Sequence, residues 1–150
     1  MLDRLFKLLE GEAEPQTLPE EEAREAVAAL LVAAARADGS YDGDERALID
    51  RILTARFALS PWQAGALREA GEAAEASSTG LHRFTLAVKR SVPLEQRVEI
   101  IEAVLEVAYA DGDRSAEEAS LVRQLVGLLH IPDREAGFAR QRVADRLGLS

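Results

Sequence analysis

The stretch ADGSYDGDERALI, residues 37–49, returns as ADGDRSAEEASLV at residues 110–122. The offset is constant at 73 positions. Each copy holds an Asp-Gly, then an acid pair (Asp44-Glu45 or Glu117-Glu118), then a pair of aliphatic residues. An Asp-Gly after an apolar helical run reads as a helix stop, with glycine in the left-handed cap position. An acid pair behind Asp42 or Ser115 reads as the start of the next helix. The chain therefore makes an acidic helix-loop-helix corner twice.

The repeat extends outward at the same offset. Val27 corresponds to Ile100, Leu31 to Val104, Ala35 to Ala108, Ile52 to Leu125 and Leu53 to Val126. After a slip of one residue, Ala64-Gly65 corresponds to Ala136-Gly137. A unit of helix, acidic corner, helix, turn and helix thus occurs twice, with one helix between the copies.

Apolar residues at intervals of three and four mark the helices. Ala23, Ala26, Val27, Leu30, Leu31 and Ala34 form one stripe, opened by the capping box Thr17-Leu18-Pro19-Glu20. Leu48, Ile49, Ile52, Leu53 and Phe57 form the next, and Ser60-Pro61-Trp62-Gln63 caps a third helix that runs to Ala76. Leu81–Lys89 is a shorter helix. Leu94–Ala110 is apolar over so wide an arc that it belongs at the centre of the fold. Leu121, Val122, Leu125, Leu128 and Leu129 face inward from the helix after Ser115, and Pro132-Asp133 opens the last one. No segment alternates with period two. The expectation is an all-α, compact bundle of about eight helices with an internal duplication. Residues 1–16 form an N-terminal amphipathic helix and linker, and residues 17–150 form the helical domain.

Composition narrows function. Ala and Leu carry a hydrophobic content of 47% against 5% aromatics. The net charge is −9, from 27 acidic and 18 basic residues, which opposes nucleic-acid binding and favours cations or basic protein surfaces. There is no cysteine, so disulfides, thiolate metal sites and cysteine nucleophiles are excluded. No apolar run approaches the roughly 18 residues of a membrane span, and no signal peptide is evident, so a cytoplasmic protein is expected.

Asp38 and Asp111 sit at helix C-termini, where the helix dipole opposes a carboxylate by about 0.3–1 kcal/mol. Each needs a partner: loop amides, a nearby cation such as Arg46 or Arg114, or a hard divalent ion held through oxygen. Asp38-x-Ser40-x-Asp42-Gly43 matches the opening of a calcium-binding EF-hand loop. The match then fails. The twelfth position is Ile49 in one copy and Val122 in the other, and the sixth-position glycine is Ala116 in the second. A looser, hydrated site closing on Glu45 or Glu118 is the remaining metal reading. The candidate metal ligands are Asp38, Asp42, Glu45, Asp111, Asp113 and Glu118, for calcium, magnesium or manganese.

Other residues are read blandly. His82 and His130 are surface or helix-end histidines. Glu99, Glu102 and Glu106 form a solvated stripe rather than a site. Trp62 near a helix start is a staple onto its own helix, with an exposed partner anchor as the alternative. No serine lies in a nucleophile elbow, and no glycine loop cradles phosphate. Leu2, Leu5, Phe6 and Leu9 give the N-terminal helix one apolar face. Docking on the domain or homodimerisation suits it better than peripheral membrane contact, because Arg4 and Lys7 are balanced by Asp3 and Glu10.

At Ala37-Asp38-Gly39 with Asp44-Glu45, and at Val107-Ala108-Tyr109-Ala110-Asp111-Gly112 with Glu117-Glu118 and Leu121, the chain resembles the tellurite-resistance TerB family. The resemblance covers residues 20–143. It implies a helical domain of two similar halves and no catalytic reaction. It also implies a link to tellurite and other chemical stress, with Asp38, Glu45, Asp111 and Glu118 on a metal-responsive or partner-binding surface. The copies differ in register: Ser40 corresponds to Asp113, and Asp42 to Ser115. Equal metal binding by both corners is not implied. The expected function is a non-enzymatic, cation-binding stress-response module that scaffolds protein partners. The alternative is an interaction domain without a metal site.

Overall fold

Local signals in the sequence set the ends of most helices. The computed structural model describes residues 19–110 and 115–149 and contains seven helices there, with no strand. They are α1 (Pro19–Arg36), α2 (Gly43–Phe57), α3 (Pro61–Ala76), α4 (His82–Ser91), α5 (Leu94–Ala108), α6 (Ala116–Leu128) and α7 (Asp133–Arg146). The helix expected within residues 1–10 lies outside the described residues. So do Asp111, Asp113 and Thr17-Leu18 of the capping box before α1.

Gly39 ends the first corner at φ +88° and donates its amide to the Arg36 carbonyl at 3.0 Å. Asp42 and Glu45 cap α2 reciprocally: Glu45 N–H to Asp42 Oδ1 at 2.9 Å, and Asp42 N–H to Glu45 Oε1 at 3.2 Å. Ser60 and Gln63 do the same for α3, with Pro61 at its first position. Ser115 caps α6 by accepting the Glu118 amide at 3.1 Å.

One pair of caps carries no sequence signal. Ala58 after α2 and His130 after α6 both adopt left-handed backbone, at φ 53° and 54°. The next amides, Leu59 and Ile131, reach back to Thr54 and Val126 carbonyls at 3.2 and 3.1 Å. These wrap-back bonds close the helix ends in the same way. The two sites are 72 positions apart, so the duplication persists in the backbone where the side chains have diverged.

α1 and α5, the equivalent first helices of the two halves, form the centre. α1 packs against α3, α4 and α5, and α5 packs against α7 and α6. The stripe expected on α1 underestimates its burial. Every residue from Ala26 to Ala35 is buried, because partners surround the helix rather than cover one face. The many alanines allow that close approach. Gly71 of α3 lies directly on α1: a methyl there would sit 2.7 Å from Ala28 Cβ and 2.9 Å from the Ala29 nitrogen. α5 is central, as its wide apolar arc implies, with Ile100, Ile101, Val104 and Leu105 fully enclosed.

Candidate functional site: the acidic cleft between the corners

The first corner is held rigidly from several sides. Asp38 Oδ1 accepts the Ser40 amide at 3.0 Å and the Ser40 hydroxyl at 3.2 Å. This is the partner that the helix dipole demands, and it comes from the loop's own backbone. Tyr41 then ties the loop to α3. Its hydroxyl donates to Glu72, while Arg36 and Arg46 lie over its ring at 5.0 and 5.3 Å. Arg68 bonds Asp50 of α2 at 2.7 Å and Glu72 at 3.0 Å, and Arg36 pairs with Glu75.

The network shifts the titration of its members. Burial would raise Glu72, but hydrogen bonds from Tyr41 and Arg68, with the charges of Arg68 and Arg36, hold its carboxyl below the ordinary 4.5. Burial and the Glu72 carboxylate together push the Tyr41 phenol well up. Burial opposes the Arg68 charge, yet the bonds to Asp50 and Glu72 more than offset it, so the guanidinium stays charged.

The corner opens on a cavity of about 300 Å³. Asp38, Ser40, Asp42, Asp44 and Glu45 line it from the first corner. Val107, Ala108 and Ala110 line it from the end of α5, and Glu118 from the first turn of α6. Ala34 and Leu48 complete the apolar wall, and Arg51 is the basic member. Among the described residues, five carboxylates therefore meet one guanidinium. The cavity joins the two corners: the C-terminal ends of both central helices abut it.

Of the residues singled out from sequence, Asp38, Asp42, Glu45 and Glu118 come together here. Asp111 and Asp113 lie outside the described residues. Glu118 is only 4% exposed, and its Oε1 accepts the Ser115 hydroxyl at 3.1 Å. Its counterpart Glu45 is half-buried. Among the described residues the two corners contribute differently: the first offers a rim of exposed acids, and the second an inward carboxylate. Among the described residues, no three His, Cys, Asp or Glu side chains converge as a ready-made metal cluster. The cap bonds fall on Oδ1 of both Asp38 and Asp42, so a cation approaching through Oδ2 would leave both turns intact.

Ser40 enters the site as the third position of the EF-hand-like opening, whereas Arg51 and Tyr41 were not anticipated in it. Ser40 was legible, since a serine two residues after an aspartate has the spacing of an Asx turn. Arg51 and Tyr41 depend on long-range packing and carry no local signal. Elsewhere, Glu99, Glu102 and Glu106 are an ion-paired stripe. Glu99 meets Arg56 at 3.3 Å, Glu102 meets Arg142 at 3.1 Å, and Glu106 meets Arg146 at 3.7 Å. His82 and His130 are exposed, His130 at the end of α6. Trp62 does not staple onto its own helix but is 81% exposed. No described helix is long and apolar enough to cross a membrane.

No curated protein and no solved structure matches the chain in comparisons with known proteins. The family model described as tellurite resistance protein TerB matches residues 24–141. That span runs from the second turn of α1 into α7 and takes in both corners and both central helices. The all-helical fold, its two acidic corners and this match together place the chain in the TerB family.

Proposed function

We propose that this chain is a non-enzymatic TerB module of the cytoplasm that takes up a hydrated divalent cation in the cleft between its corners and presents the loaded domain to protein partners. The observation that carries the reading is the single cavity on which Asp38, Asp42, Asp44 and Glu45 of one corner meet Glu118 of the other. Its carboxylate and hydroxyl oxygens suit calcium, magnesium or manganese. The carboxylates stand apart rather than converge, so the ion would keep several of its waters, as magnesium does readily. Asp111 and Asp113, by their place in the sequence, would add charge from the second corner. A cation bound here would hold the ends of α1 and α5 together and so couple the two halves.

The non-enzymatic reading is supported by what the acids do. Asp38, Asp42 and Glu118 each bond within the turn or cap they belong to. A stress link, to tellurite or another agent, follows from the family alone.

Calorimetric titration of calcium, magnesium, manganese and zinc tests the cation. Asn caps a helix as well as Asp does, so Asp38→Asn with Asp42→Asn removes charge while retaining both turns. Binding heat for a hard cation in the natural chain, lost in the double variant at unchanged melting temperature, supports the reading. No heat with any of the four ions refutes it.

The exposed Trp62 favours a second reading, a purely structural interaction domain whose acids only cap helices. In that case Trp62→Ala would abolish partner capture, and the Asn variants would retain it.

A further inference from the structure

A second cleft, of about 350 Å³, lies at the opposite end of α1, where the chain enters the domain. Ala23, Val27, Val92 and Ile100 give it apolar walls, from α1, the α4–α5 turn and α5. Phe57, at the end of α2, has two guanidiniums over its ring, Arg24 at 5.1 Å and Arg56 at 5.9 Å from the ring centre. Arg56 also bonds the Gln96 carbonyl at 3.1 Å. The result is an apolar slot whose rim carries Arg24 and Arg56, with Glu20 also on the rim and Glu99 paired to Arg56, on a chain of net charge −9.

Residues 1–18 precede this cleft directly, since Glu20, Ala23 and Arg24 line it from the first turns of α1. At helical spacing, Leu2, Leu5, Phe6 and Leu9 share one face. Asp3 and Glu10, seven residues apart, stack along one flank of that face, and Arg4 and Lys7 fall on the far side. Gly11 to Leu18 spans at most about 26–29 Å when extended, well over the roughly 10 Å diameter of a helix. The segment therefore reaches the cleft of its own chain. A short flexible tether also gives an effective concentration on the order of millimolar, which favours the same chain over a second copy.

We propose that residues 2–10 dock into the cleft of their own chain, with Phe6 and its apolar neighbours on the slot beside Phe57 and with Asp3 and Glu10 toward Arg24 and Arg56. Docking would cover the apolar slot and bring acids to Arg24, and to Arg56 beside its existing Glu99 pair, leaving Arg4 and Lys7 outward.

The chain has no cysteine, so Lys7→Cys accepts a single nitroxide label in the full-length protein. The label should remove most of the amide signal of Arg24, Phe57, Val92 and Gln96 in the same molecule, with recovery on chemical reduction. Adding Phe6→Ser should restore the signal without label reduction. Undiminished signals in the labelled chain overturn the proposal. So does broadening that persists with Phe6→Ser, since tethering alone would then explain it. Broadening seen only between labelled and isotope-enriched chains in a mixture assigns the cleft to a second copy and equally overturns it.

Discussion

The two halves of the duplication share helix order and the left-handed turns at Ala58 and His130, yet they are held together by different means. In the first half α2 packs on α3, and Tyr41, Asp50, Arg68 and Glu72 knit the corner to both helices. In the second half α6 and α7 make no comparable packing, and α7 is fastened to α5 through Arg142 and Arg146 on Glu102 and Glu106. At the equivalent positions, Tyr41 is replaced by Arg114, Asp50 by Arg123 and Glu72 by Ala144. The backbone plan is common to both halves, whereas the network of Tyr41, Asp50, Arg68 and Glu72 locks the first. The locked corner supplies the exposed acids of the cleft, and the other supplies the buried Glu118.

The sharpest break in that comparison is at the helix crossing. Gly71 and Val143 occupy equivalent positions, but α3 touches α1 backbone while α7 fills the gap to its neighbours with a buried valine. Gly71→Ala should cost about 3 kcal/mol, because the atoms it meets include the α1 backbone and cannot swing aside. Val143→Ala should cost about 2 kcal/mol for the opposite reason, an unfilled void. Urea unfolding of both variants measures the pair. A neutral Gly71→Ala would mean that the close crossing is absent.

Next in size is the network. Arg68→Ala leaves Asp50 and Glu72 without their shared cation and should cost about 1–3 kcal/mol. Arg140→Ala, at the equivalent place, should stay within about 0.5 kcal/mol. Equal effects would erase the distinction between the halves.

The network also sets a pH dependence. Glu72 is held below 4.5 in the folded chain, so between its folded and ordinary values the unfolded chain binds more protons. Its contribution is present above about pH 4.5 and is lost as the pH falls through the folded value. Glu72→Gln should therefore be less stable than the natural chain at pH 7 and lose less on acidification. Melting curves at stepped pH check the sign.

The smallest effects test what the halves share. Ala58→Gly and His130→Gly relieve left-handed strain in both and should each stabilise by about 0.5–1 kcal/mol, after the entropic cost of glycine. Gain at one site alone would break the backbone equivalence.

Features set by neighbours in sequence were legible before the structure. The Asp42/Glu45 and Ser60/Gln63 capping boxes, the Gly39 stop and the all-helical duplication were all readable from spacing. Features set by distant packing were not. Ala58 and His130 are left-handed without the glycine that would signal it. Gly71 looks like a weak helix residue until α1 is placed against it. Trp62 sits where a staple would, and only the finished fold leaves it in solvent. The candidate site was legible in parts: the corners named Asp38, Asp42, Glu45 and Glu118, but not that one cavity would collect them. That convergence comes from packing α1 against α5.

The central claim is that the two corners form one cation site. Manganese titrated into the isotope-labelled full chain tests it most directly, because its paramagnetism erases amide signals close to the bound ion. The account predicts that Ser40, Asp42 and Glu45 of the first corner and Glu118 of the second lose signal together, along one saturation curve. It also predicts that Asp38→Asn with Asp42→Asn restores them all. Loss at separate concentrations, or at one corner alone, would contradict it.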